Sequence, residues 1–177
     1  MDSINKNQPE DNYEDLKGRQ AIDKLKDLTK DETCFFNTSE QVSKTGGTRP
    51  MSVREVDDNG DIWFLSASDS HKNAAIEADP KVKLYFKGAS HAEFLSLDGR
   101  ASITRDKGTI HRLWDAHLKV WFTEGEDDPR ITAIKVTPLD GYYWDNKHGS
   151  AVAGVKMMIG AVVGKTLDDT IEGKIAP

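Results

Sequence analysis

The chemistry this chain offers is concentrated in "SASDSHK", Ser66 to Lys72, which puts the hydroxyls of Ser66, Ser68 and Ser70, the imidazole of His71 and the ammonium of Lys72 into one turn. Ser70 stands where an N-cap belongs, ahead of "HKNAAIEA". A helix start presents backbone N–H groups that have no intrahelical partner, at the positive end of the dipole. Such N–H groups, with hydroxyls and a cation beside them, suit a phosphate ester, which takes several donors and one or two positive charges. Arg49 in "GGTRPM" falls on a neighbouring strand and can supply a second cation, while Gly46 and Gly47 let backbone approach a ligand closely. The plainer role stays open beside this one: Ser70 only caps a helix, Lys72 is solvated and His71 is a turn residue.

Other motifs carry less. "GAVVGKT", 160–166, is like a phosphate loop but has Ile159 where the spacing demands glycine. His111 and His117 are six apart and point to different faces of one helix, and His71, His91 and His148 belong to separate turns or strand ends, so no metal site is expected. A G-x-S-x-G elbow is absent, Asp127 and Asp128 in "EGEDDPR" read as a solvated loop, and no side chain is an evident general acid or base. Cys34 is the single cysteine, so no internal disulfide forms, and a buried thiol in a reducing cytoplasm is expected.

The elements that must hold the turn read as mostly strand. Polar residues 1–12 are expected to be disordered and Tyr13–Leu28 to be a helix, with Leu16, Ile22, Leu25 and Leu28 on one face. "TCFFNTS" is rich in strand formers, and "TRPMSVREV" and "DIWFLSAS" flank the hairpin signal "DDNGD". "KVKLYFK" alternates, "HAEFLSLDGRASITRD" reads as two strand pieces around an Asp-Gly turn or bulge, and "ITAIKVTPLDGYYWD" as a last strand interrupted at Pro138. A helix is expected from Lys107 to about Val120. "DIWFLSA" is apolar on both faces, which points to one face inside a barrel and the other against a partner subunit. Six strands with short turns and flanking helices give a mainly β protein, an antiparallel barrel of 13–145, followed by a tail of 146–177 packing on or near it. A net charge of −6 argues against nonspecific nucleic-acid or membrane binding, and the longest apolar run, "AVAGVKMMIGAVVG", is too short to span a bilayer.

The order of the pieces is informative. "RPMSVREVDDNGDIWFLSASDSHKNAAIEADPKVKLYF" runs from an Arg-containing strand through an Asn-Gly hairpin to an aromatic strand ending in Ser, then Ser-x-Lys opening a helix and "ADPKV". This resembles the flavin-binding region of the pyridoxamine 5'-phosphate oxidase-like split barrels, within them the general stress protein 26 group. The resemblance implies a six-stranded antiparallel split barrel binding FMN at a homodimer interface. It implies that Arg49 contacts the phosphate or the polar edge of the flavin, that backbone around Pro50 and Met51 runs beside the ring, and that Ser66 lies near the ribityl–phosphate end. Ser70, His71 and Lys72 would hold the phosphate. The oxidases usually carry Arg where His71 stands here, so one permanent charge is missing and phosphate affinity is expected to respond to pH. "LDGYYWD" resembles the strand that presents an aromatic, here Trp144, to the partner's flavin, and "HLKVWFTEGEDDPR" offers Trp121 or Trp114 near the ring. The true oxidases continue with an Arg-x-His segment, whereas this chain reads "WDNKHGSAVAGVKMM" without a matching Arg, which disfavours pyridoxamine phosphate oxidation. Two functions stay open on this resemblance: a flavin-dependent oxidoreductase acting on a small molecule or a reduced nicotinamide, and a non-catalytic flavin carrier or stress sensor.

Overall fold

The computed structural model describes residues 12–30, 33–38, 47–88, 93–148, 156 and 169–177. The expected disorder of residues 1–12 therefore falls outside them except at Asn12, as do His91, Gly46 and the phosphate-loop-like 160–166. Among the described residues the elements are β1 (Leu16–Lys17), α1 (Arg19–Thr29), β2 (Thr33–Thr38), β3 (Thr48–Ser52), β4 (Glu55–Val56), β5 (Ile62–Ala67), α2 (His71–Ala78), β6 (Lys81–Lys87), β7 (Phe94–Thr104), α3 (Lys107–Leu113), β8 (Ile131–Asn146) and β9 (Thr170–Ala176). The molecule is mainly β with flanking helices, as the sequence implies, but its sheet has nine strands rather than six. The additions are the short β1 and β4 and the C-terminal β9, which lies antiparallel on β8, while β1 pairs β9 in parallel.

One path runs β1-β9-β8-β7-β6-β2-β3, and the hairpin β4-β5 attaches to β8. The 16-residue β8 makes this possible: its first half pairs β5 on one side while its second half pairs β9 there. Among the described residues no pairing joins β3 to β4 or β5, so the sheet curls without closing. That open seam lies between Arg49 on β3 and the turn that follows β5.

Alternation builds the core. Cys34 and Phe36 of β2, Ile62 and Phe64 of β5, Val82, Leu84 and Phe86 of β6, and Leu95 and Leu97 of β7 point inward, where the apolar face of α1 covers them with Leu25 and Leu28. Burial pushes the Cys34 thiol up to about 12, which leaves it unreactive at neutral pH. The hairpin forms as its sequence requires: Gly60 takes φ 83°, and the Asp57 carboxylate accepts from Asn59 N and Asp61 N and, at 2.9 Å, from Trp63 Nε1.

Four local expectations are corrected. Helix α1 begins at Arg19, not Tyr13, because Gly18 at φ 54° turns the chain and the preceding residues lie against β9. The helix from Lys107 ends at Leu113. Asp115 then caps a separate 3₁₀ turn, Ala116–Val120, through the backbone of His117. β8 runs unbroken through Pro138, which sits opposite Gly99 where the β7–β8 register shifts, so the Asp-Gly step expected to be a turn or a bulge is a bulge. The second apolar face of β5 meets the chain's own residues: Trp63, Leu65 and Ala67 pack on Ile110, Leu113 and Phe122.

Candidate functional site

The turn between β5 and α2 is fixed at both ends. Ser68 N donates to Arg130 O at 2.7 Å and Ser70 N to Ala67 O at 3.1 Å. Ser70 has extended backbone and its Oγ accepts from Asn73 N, so it is the N-cap expected from sequence. The N–H groups of His71 and Lys72, first in the helix, have no intrahelical acceptor.

Two cations face this helix start. Lys72 is half-buried and has neither a hydrogen bond nor an ion pair among the described residues. Arg49, half-buried on β3, donates from Nη2 to Gly47 O at 3.0 Å and to Thr38 Oγ1 at 3.3 Å, both neutral acceptors. Burial lowers the pKa of Lys72, and the positive charge of Arg49 lowers it further, against the weaker opposing pull of Asp69. Burial also lowers that of Arg49. Two desolvated cations that repel each other and lack a carboxylate partner are an unfavourable arrangement by themselves. An anion between them removes the conflict.

The hydroxyls divide into two kinds. Ser66 is 2% exposed and its Oγ lies 2.7 Å from Asn73 Oδ1, so its proton is directed inward. Ser70 Oγ has only longer acceptors, Asn73 Oδ1 at 3.1 Å and Ser66 Oγ at 3.2 Å, and it is the hydroxyl able to turn towards a ligand. His71 is exposed. Pro50 is exposed and Met51 half-buried on β3, whose outer backbone edge has no partner strand among the described residues.

The tryptophans lie apart. Trp121 is 65% exposed, and its carbonyl accepts from Arg130 Nη2 at 3.4 Å. Because Arg130 O holds Ser68 N, this connects Trp121 to the same turn. Trp114 packs in the cluster under α3, its ring 6.3 Å from that of Phe122. Trp144 is on the opposite half of β8, whose Thr132 pairs Ser66, so twelve residues of strand, about 40 Å if straight, separate it from the turn. It belongs instead to an aromatic outer face. Phe35 and Tyr85 are cross-strand partners there, as are Phe94 and Trp144, and all are substantially exposed. A groove of about 640 Å³ runs between Tyr85, Phe94, Trp144 and Glu172.

Thus the fold gathers Arg49, Ser70, His71 and Lys72 at one corner, sets Ser66 just beneath it and Trp121 beside it, and leaves Trp144 on another surface. Asn73 and Thr132 were missed by sequence reasoning. Neither residue type nor spacing distinguishes a buried helix asparagine from a solvated one. Among the described residues no cluster of His, Cys, Asp and Glu can hold a metal ion, and no helix is long and apolar enough to cross a membrane.

The sequence and the fold are similar to those of known proteins. The model of the family "Pyridoxamine 5'-phosphate oxidase like" matches residues 20–168. Protein bli-3 of Neurospora crassa is 28% identical over 153 residues, covering 77% of this chain and 73% of its own. A structure from Jannaschia sp. CCS1, named as a candidate general stress protein 26, superposes with a TM-score of 0.72 at 22% identity, covering 90% of this chain and 96% of that one. The general stress FMN/FAD binding protein of Xanthomonas citri superposes with a TM-score of 0.60 at 24% identity, covering 70% and 87%.

Proposed function

Because the chain belongs to the pyridoxamine 5'-phosphate oxidase-like family, we propose that it is a flavoprotein that binds FMN with the phosphate at the start of α2. The observation that carries this reading is the pair of mutually repelling cations, Arg49 and Lys72, which have no ion-pair partner among the described residues and meet at the start of α2, where the first N–H groups lack intrahelical acceptors. A phosphate monoester supplies the missing negative charge and accepts from both cations, from those N–H groups and from Ser70 Oγ. Ser66 sits beneath, and its role is to orient Ser70 towards the ribityl–phosphate end. The free edge of β3 at Pro50 and Met51 offers main-chain groups to the flavin ring, with Trp121 at its flank.

A second copy of the chain completes the site in this reading. Exposed Phe35, Tyr85, Phe94 and Trp144 form an apolar face of the kind that marks an interaction surface. Trp144 is too far from its own turn to touch a flavin held there, so it serves the partner's, as a two-fold dimer permits.

Bound FMN supplies the capacity to accept and release electrons or a hydride, and the protein supplies binding, orientation and exclusion of water. No side chain at the corner is an evident general acid or base, so any turnover rests on the flavin and uses a small molecule or a reduced nicotinamide. A flavin carrier or sensor has the same requirements for binding. The purified protein is expected to be yellow, to absorb near ~450 nm and to release stoichiometric FMN on denaturation. Colourless protein that takes up neither FMN nor riboflavin would sink the proposal, and stopped-flow mixing with NADH or NADPH separates enzyme from carrier.

A further inference from the structure

We propose that Asn73 is the positioning residue of the phosphate corner, holding Lys72 and the first turn of α2 in register with Arg49; this rests on the FMN reading above. Asn73 is 2% exposed and ties together three elements. Its Oδ1 takes the hydroxyls of Ser66 at 2.7 Å and Ser70 at 3.1 Å, and its Nδ2 donates to Thr132 Oγ1 at 2.9 Å. Thr132 Oγ1 in turn donates to Ser66 O at 2.9 Å, so its single proton is spent and it must accept from Asn73. That fixes the amide orientation and points Oδ1 at the two serines. The end of β5, the cap of α2 and the start of β8 are thereby closed into one buried polar ring.

Backbone hydrogen bonds fix the turn that precedes α2, Ser68 N to Arg130 O and Ser70 N to Ala67 O, and within the first helical turn itself Asn73 is the buried side chain that anchors it. Helix α2 has eight residues, far too short to persist alone, and its buried apolar residues, Ala75 and Ile76, lie beyond the first turn. Within residues 71–74 only Asn73 is buried. The like charges of Lys72 and Arg49 disfavour their close approach, and the hydrogen bonds of Asn73 hold the turn that carries Lys72 to β5 and β8. The network also turns the Ser66 proton away from a ligand and leaves that of Ser70 adaptable, so it sets which hydroxyl meets phosphate. A side chain that only filled space would do neither.

The test compares FMN with riboflavin on the full chain stripped of flavin, by quenching of flavin fluorescence. Asn73→Ala is expected to weaken FMN about tenfold, the scale of one lost charge-assisted contact, and riboflavin less than about threefold. Thr132→Val, which keeps the shape and removes the hydroxyl, is expected to compress the FMN-to-riboflavin affinity ratio in the same direction, and Thr132→Ser to restore it. If Asn73→Ala does not fold, the Thr132 pair decides alone. Variants that melt earlier but keep the wild-type ratio would show a merely structural network and overturn the inference. A wild-type protein that binds FMN and riboflavin equally would overturn the phosphate corner itself, a separate failure visible before any variant is made.

Discussion

Replacing Arg49 and Lys72 together by alanine is expected to weaken FMN binding about a thousandfold while changing riboflavin affinity less than about fivefold. A hydrogen bond to a charged group contributes about 1.5–3 kcal/mol, and each 1.4 kcal/mol is about tenfold in affinity, so two such partners account for the effect. Riboflavin has the same ring and ribityl chain but no phosphate, so only the ester reports on the two cations. Equal losses for both flavins in calorimetric titration would remove the assigned roles. pH gives a second handle. Burial and Arg49 lower the Lys72 pKa, so the ammonium loses its proton at lower pH than a solvated lysine. FMN affinity is therefore expected to fall as pH rises through that lowered pKa, and Lys72→Arg, which stays charged, should flatten the decline. Stability of the ligand-free protein runs the other way. Between the lowered folded pKa and the unfolded value the unfolded chain binds more protons, so stability rises with pH across that window. Below it the desolvated charge is a standing cost, and Lys72→Met should raise the ligand-free Tm while reducing phosphate preference, with the share from Arg49 retained. A corner that destabilises the empty protein and is relieved by its ligand is what a binding site looks like in energetic terms.

Legibility in the sequence followed the range of the interactions involved. The hairpin at Asn59–Gly60, the alternation of "KVKLYFK" and the Ser70 cap are local, and each appears where residue types place it. Asp98–Gly99 was legible as a turn or a bulge, and pairing with β8 along the whole of β7 makes it a bulge within one strand. What could not be read depends on partners distant in the chain. Tyr13–Lys17 carries helical spacing, yet pairing with β9, about 160 residues later, draws it out as an extended segment. Leu65 and Trp63 look unpartnered along β5 until α3 and Phe122 fold over them. Pro138 reads as a break, but it falls at the bulge, where the ladder is already interrupted, and the strand continues. The corner shows the same division. Lys72 and Ser70 are recognisable from their spacing, whereas Asn73 acquires its role only through Thr132, 59 residues away.

Phe64→Ala is expected to cost about 3–5 kcal/mol, the usual range for emptying a fully buried phenylalanine site. Phe64 is 0% exposed, as is Phe36, and their rings meet edge to face with centroids 5.3 Å apart and planes at 88°. The loss removes that aromatic contact and leaves a void beside strands held by pairing, β2 between β3 and β6 and β5 on β8, which cannot readily collapse into it. For a chain of this size each kcal/mol moves Tm by about 2–4 °C, so a fall of about 6–20 °C should appear in a melting scan. Since a typical domain has only about 5–15 kcal/mol to lose, the variant is expected to be marginal at body temperature. Phe64 lies two residues before Ser66 on β5, so the same strand carries both the core contact and the floor of the phosphate corner. Ligand that binds only the folded state restores stability by mass action, about 2.7 kcal/mol at a hundredfold excess over Kd. FMN at that excess should therefore recover most of the lost Tm in Phe64→Ala, and riboflavin at the same concentration should recover less. A variant whose Tm is unmoved would show that the core is not centred on this aromatic pair. One that falls as expected but gains equally from both flavins would leave the core intact as described and remove the phosphate from the account of the site.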